Sequence, residues 1–239
     1  MTGWILLGGA LLAAAISLLL LRSLGMRYRV GRLLAAAPLI DIDEALQLAT
    51  GAPRYVRVTG RISSEEEFPD EHDRPLVFRR KRIDIDAGGG KWRTIADERE
   101  AVAFGVEARD SYIAVDENAI TDGLVAIPRE SAGKLADLPK DMLEGMENLP
   151  SPDSPARLLI EQVSAVEHAT ICGTPVLLNG QPTMTAGAGR PLIVTTLEAP
   201  AAMRLLASGR RPRVLLATAL LLVALFLLTA ASVVLISGL

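Results

Sequence analysis

The chain has 239 residues, a net charge of −3 and one cysteine, which excludes an internal disulfide and a cysteine-built zinc site and gives no ground for nucleic-acid binding. Half of the residues are hydrophobic but only 4% are aromatic. The surplus is Leu, Ala and Val at the two ends, leaving a central stretch of roughly 160–170 residues, enough for a core.

Residues 3–21 form the first predicted membrane helix. Within them Trp4–Leu21 is an uncharged apolar run of about 18 residues, just long enough for a hydrocarbon core of about 30 Å. A cleavable signal peptide would carry basic residues ahead of this run. Here they follow it, as Arg22, Arg27, Arg29 and Arg32. An entry helix is predicted over 38–52, with Asp41 or Asp43 as N-cap, an Ala45, Leu46, Leu48, Ala49 face, and Gly51 and Pro53 as its stop.

Residues 53–200 read as a β-rich domain. Strands are predicted around Tyr55–Ile62, over Pro75–Asp86 and, across the glycine turn 88–90, over Lys91–Ala96. Further strands follow at Ala101–Ala108, Ser111–Val115, Leu124–Ile127, Leu158–Val166, Ala169–Leu178 and Leu192–Leu197. A proline-rich excursion at 134–155 interrupts them. Leu135, Leu138, Met142, Met146 and Leu149 recur there at helical spacing, either as a helix packed on the domain's own sheet or as a mobile docking helix. Met142, Met146 and Leu149 are the candidate partner-docking residues. Val56–Gly60 and Thr170–Gly173 both end a short β-branched run in glycine, a faint internal echo that two packed β modules would explain.

Residues 201–208 lead helically towards the second predicted membrane helix at 214–236, about 23 residues and long enough to cross with tilt. Arg204, Arg210, Arg211 and Arg213 precede it and no basic residue follows. Both arginine clusters therefore flank the central domain. The positive-inside rule predicts an integral cell-membrane protein with that domain in the cytoplasm and both termini outside. The same arginines suit anionic lipid head groups.

The polar motifs yield no catalytic, cofactor or metal residue. Glu65, Glu66, Glu67, Asp70, Glu71, His72 and Asp73 lack a calcium-loop spacing and read as a solvated acidic loop. His168 and Cys172 fall on one face of a strand, two alternations apart and out of contact. Asp84-Ile85-Asp86 with its glycines lacks a P-loop ending and reads as a hairpin, as does Gly187–Gly189 with Arg190. Trp92 reads as a core anchor.

The order of parts resembles the GIDE, or beside-a-membrane (BAM), domain family, known from membrane-anchored E3 ubiquitin ligases of the MULAN/MAPL type. The resemblance rests on Ala37-Pro38-Leu39-Ile40-Asp41, on Val56-Arg57-Val58-Thr59-Gly60-Arg61-Ile62 with the acidic stretch after it, on Trp92 ahead of Phe104, and on Arg190-Pro191-Leu192-Ile193-Val194-Thr195-Thr196-Leu197 before the second membrane helix. It implies a β-rich domain beside a membrane. The turn after the Phe104 strand is shorter than the family's, at Asp110-Ser111-Tyr112. A RING needs about eight Cys and His ligands, so one cysteine implies a RING-less, prokaryotic-type member to which ligase activity does not transfer.

The expected fold is thus a mainly β (β-rich α+β) soluble domain between two transmembrane helices. The expected function is a non-enzymatic, membrane-anchored interaction or sensing module that contacts the bilayer and a protein partner, without cofactor or nucleic acid. A membrane-associated hydrolase is one alternative, and would show a deep polar site with perturbed carboxylates. A homo-oligomeric membrane scaffold is another, with Ala217, Ala224, Ala230 and Ala231 allowing close helix contact.

Overall fold

A computed structural model of the chain describes residues 2–23, 25–88, 90–138, 151–207 and 211–237. Two helices open it, α1 (Thr2–Ser23) and α2 (Gly25–Ala36), and α3 (Ile42–Thr50) follows. Next come β1 (Val56–Ser64), the short β2 (Phe68–Pro69), the long hairpin of β3 (Pro75–Asp86) and β4 (Trp92–Ala101), and the small hairpin of β5 (Phe104–Ala108) and β6 (Ser111–Val115). Then follow β7 (Leu124–Val125), β8 (Arg129–Lys134), β9 (Pro155–Ser164), β10 (His168–Leu178), β11 (Gln181–Thr185) and β12 (Ile193–Thr195), and two helices, α4 (Ala199–Ala207) and α5 (Arg211–Ser237). The chain divides into two units, Met1–Arg32 with Met203–Leu239, and Leu33–Ala202.

In the first unit α1 and α5 pack side by side and antiparallel. The Ser17 hydroxyl, late in α1, donates to the Ala217 carbonyl, early in α5, at 2.9 Å, while Gly9 faces Leu227. The seam is made of small residues: Ala10, Ala13 and Ser17 from α1 meet Ala217, Ala224 and Ala231 from α5, and all are buried. The heptad spacing of the α5 alanines keeps one small face on the partner helix. The large apolar residues point the other way: Leu11, Leu12, Ile16, Leu18 and Leu19 of α1 and Leu216, Leu222, Leu225 and Phe226 of α5 are exposed. Among the described residues α5 carries a stretch, Leu215–Ser232, long and apolar enough to cross a membrane; the apolar stretch in α1, Leu7–Leu19, is shorter. Three of the four alanines considered for self-assembly are thus buried within the chain's own helix pair.

The second unit is β-rich, with two mixed or antiparallel sheets. Five strands close on themselves. β1 pairs with β5, β5 with β6, and β10 with both β11 and β1, all antiparallel, while β6 and β11 pair in parallel. In order of occurrence these strands run 1-2-3-5-4-1 around the barrel, with the third and fifth parallel, the topology of the OB fold. The glycine-ended runs at Val56–Gly60 and Thr170–Gly173 lie in the closing pair, antiparallel neighbours with Val56 opposite Gly173 and Thr59 opposite Thr170. Inward-facing Val56, Val58, Ile62, Phe104, Val106, Ile113, Val115, Ile171 and Met184 fill the barrel, and α3 covers it with Ile42 and Ala45. β12 and β7 extend the sheet beyond β10.

The connection from the first to the second barrel strand carries β2, β3 and β4, and the one from the third to the fourth carries β7, β8 and β9. All of these but β7 build the other sheet, ordered β4-β3-β9-β8, with β2 also on β3. Its core is Ile83, Ile85, Ala96, Ala156 and Leu158, covered by Leu135 and Leu138. Residues Leu135–Asp137 form one 3₁₀ turn rather than the start of an α-helix. Met142, Met146 and Leu149 lie outside the described residues.

Candidate functional site

The outer face of β5 and β6 carries a groove of about 850 Å³. Alternation sends Phe104, Val106, Ile113 and Val115 into the barrel and leaves Gly105, Glu107, Tyr112 and Ala114 outside. Tyr112 stands in register with Glu107, two positions along from the Gly105–Ala114 pair and so on the same face. Its ring lies over Gly105, where a Cβ would come within 2.5 Å of the ring carbon bearing the hydroxyl. The glycine is therefore the seat on which the ring rests. Burial raises the Tyr112 hydroxyl pKa, and the negative charges of Glu65 and Glu107 raise it further.

Two loops frame the face. On one side Ser63 and Ser64 end β1 and Glu65 and Glu66 follow it, and the Ser64 hydroxyl lies 2.6 Å from the carbonyls of Glu66 and Ala103. On the other, Asp116, Glu117 and Asn118 follow β6. Asp116 accepts from Thr185 Oγ1 at 2.6 Å, and Glu117 from Asn118 Nδ2 at 3.0 Å. The β10–β11 turn, Leu178, Asn179 and Gln181, closes the end. Asn179 and Gly180 both take positive φ, 52° and 83°, as a two-residue hairpin turn requires. The lining thus holds five carboxylates, those of Glu65, Glu66, Glu107, Asp116 and Glu117, and no Lys, Arg or His. Arg61, beside Glu107 in β1, is exposed and stands outside the lining.

The residues singled out by sequence fall elsewhere. The acidic loop is not wholly solvated, because Asp70 is buried. It accepts from the His72 and Arg74 backbone amides at 2.7 and 3.0 Å and from Arg74 Nε at 2.7 Å, with Arg129 at 4.0 Å. The Arg74 hydrogen bonds outweigh desolvation and hold its pKa at about 2. A folded pKa below the unfolded one stabilises the fold above about pH 4 and ceases to do so as pH falls through 2. Asp70→Asn is therefore expected to lower the melting temperature at pH 6 but leave little difference from wild type near pH 2. Equal gaps at both pH values, in thermal melts of the full chain, would contradict the pairing.

Trp92 is 41% exposed rather than a core anchor, and Arg157 stacks 4.4 Å from its ring. Arg157 also donates to buried Asp84, which accepts from Thr94 as well, so the Asp84–Asp86 run closes a structural hairpin end. Arg80, unremarked in sequence, is buried in β3 and forms a two-pronged pair with Asp97 at 2.8 and 2.7 Å. That pair raises the Arg80 pKa and lowers that of Asp97. Cys172 is fully buried, and desolvation pushes its thiol up to about 12, out of the range of a nucleophile. His168 is exposed on the same strand. Among the described residues no cluster of three or more His, Cys, Asp or Glu could hold a metal ion. Of the flanking arginines, Arg29, Arg32 and Arg204 are exposed. Arg210 and the side chains of Arg22, Arg27, Arg211 and Arg213 lie outside the described residues.

OB barrels present ligands with the face of their second and third strands and with the loops between strands 1 and 2 and between strands 4 and 5, which here are the stretch after β1 and the β10–β11 turn. That is an analogy of fold and does not by itself assign a ligand. Comparison of the chain with family models, with curated proteins and with solved structures finds no match.

Proposed function

We propose that this chain is a membrane-anchored, non-enzymatic binding module whose binding face is the groove over β5 and β6. The observation that carries the reading is the groove itself: a formed concavity on the outer barrel wall, backed by the barrel core and lined by carboxylates that enter no ion pair among the described residues. No cysteine nucleophile or metal cluster accompanies it among the described residues. The acidic lining suits neither phosphate backbones nor other anions.

The anchor is the α1–α5 pair. A helical hairpin in water buries its leucines; this pair buries alanines and serine and turns its leucines outward, the arrangement suited to lipid. α1 has 22 residues, a length of about 33 Å, and in this reading it crosses the bilayer beside α5. With arginines at the domain-side ends, the barrel faces the cytoplasm and both termini lie outside. The resemblance to GIDE/BAM domains supports an interaction role beside a membrane, without ligase activity.

A photo-crosslinking amino acid placed at Tyr112 in the full-length protein in living cells is expected to capture a defined partner. The same residue at Glu98, exposed on β4, is expected not to. Equal capture from both positions, or none from Tyr112, would remove the groove as the binding face.

A further inference from the structure

We infer that the groove over β5 and β6 takes an extended peptide segment bearing arginine or lysine side chains. The inference rests on the groove being the binding face and names its occupant.

Charge is the first ground. Five carboxylates line the groove with no cation among them, and none of the five forms an ion pair among the described residues. Elsewhere in this unit several carboxylates are ion-paired, Asp70 with Arg74, Asp84 with Arg157, Asp97 with Arg80 and Glu100 with Arg79. The groove gathers its five into one concavity, so a cationic occupant is the complementary one.

Spacing decides what kind of cation. Ser64, Phe104 and Val115 stand level across three neighbouring strands. Glu65 and Glu66 continue from the first and Asp116 and Glu117 from the third, so the two groups begin two strand spacings apart, about 10 Å. A calcium ion needs its oxygens at about 2.3–2.6 Å and cannot bridge that gap. An extended peptide covers it in about three residues, which sets two basic side chains two or three positions apart against the two acidic groups.

The remaining surfaces fit such side chains. Ala114 and the exposed Leu178 give the groove apolar patches for the methylene stems of arginine or lysine, backed by the buried Phe104 and Val115. Tyr112, 40% exposed with one face on Gly105, offers its other face to a guanidinium. Asn179, Gln181 and Ser63 supply polar groups for a peptide backbone.

The test uses full-length protein in phosphatidylcholine nanodiscs and a fluorescent hexapeptide of alternating arginine and alanine, read by anisotropy. Saturable binding is expected, with no binding of the glutamate–alanine counterpart. The double variant Glu65→Gln/Glu107→Gln should weaken it about tenfold, and Glu98→Gln should leave it unchanged. An unaltered Kd in the double variant, equal binding of the acidic peptide, or displacement by micromolar calcium would each overturn the proposal. If Tyr112 crosslinks a partner in cells but the arginine peptide neither binds nor competes, the groove stands as a binding face and the basic occupant is wrong. If crosslinking also fails, the underlying reading falls with it.

Discussion

Gly123→Ala is expected to destabilise the β-rich unit by about 3 kcal/mol or more, among the larger effects of any single methyl group in this chain. Gly123 precedes β7, which pairs in parallel with β12 through Leu124↔Val194 and Val125↔Thr195. The Gly123 carbonyl accepts from the Val194 amide at 3.1 Å, and a Cβ at this position would land on the Leu192 carbonyl oxygen, well inside contact. The obstacle is backbone, so no rotamer change relieves it; β7 has to leave β12. Leaving would expose Leu124, Val125, Leu192, Ile193 and Val194, all buried, and break the Thr195 Oγ1 to Val125 carbonyl bond of 2.7 Å. Gly180→Ala is the informative contrast. There the φ of 83° disfavours alanine but the space is open, so about 1–2 kcal/mol is expected. Urea unfolding of the full-length protein in detergent would rank the two. Equal midpoints would mean that β7 is not held against β12 as described.

Strands bounded by strong punctuation were legible in the sequence. β3 and β6 occupy the residues expected of them, because glycines 88–90 and the Asp110 turn set their limits. The entry helix forms over Ile42–Thr50, inside the expected 38–52. β8 was not legible: all six residues are exposed and polar or small, so neither period appears in it. β11 was missed because Pro182 breaks the strand pattern. Its signal was nonetheless present in Asn179-Gly180, the dipeptide that suits a two-residue hairpin. Asp70 was read with its acidic neighbours, and only tertiary structure brings Arg129 towards it. Trp92 was read as core on size alone, whereas strand β4 has one neighbour and leaves it half open. The groove was the least legible feature. Its lining comes from four separate stretches around 63–66, 103–107, 112–118 and 178–183, and each taken singly looks like an ordinary polar turn.

Phe104→Ala is expected to cost about 3–5 kcal/mol, up to half or more of the stability of a typical domain. Phe104 is 1% exposed and sits between Ser64 of β1 and Val115 of β6, where it fills the barrel and floors the groove at once. Removing the ring leaves a cavity bounded by sheet on several sides, and a closed barrel cannot collapse one wall without straining its strand register. Phe104→Leu keeps most of the volume and is expected to cost about 1–2 kcal/mol. The pair separates the two duties of the residue. Phe104→Leu should still bind the arginine peptide within about threefold of wild type, because the carboxylates and the Tyr112 seat on Gly105 remain. Phe104→Ala should lose binding only in proportion to the unfolded fraction, measured by circular dichroism on the same sample. Loss of peptide binding in a fully folded Phe104→Leu protein would show that the floor, rather than the acidic walls, governs recognition.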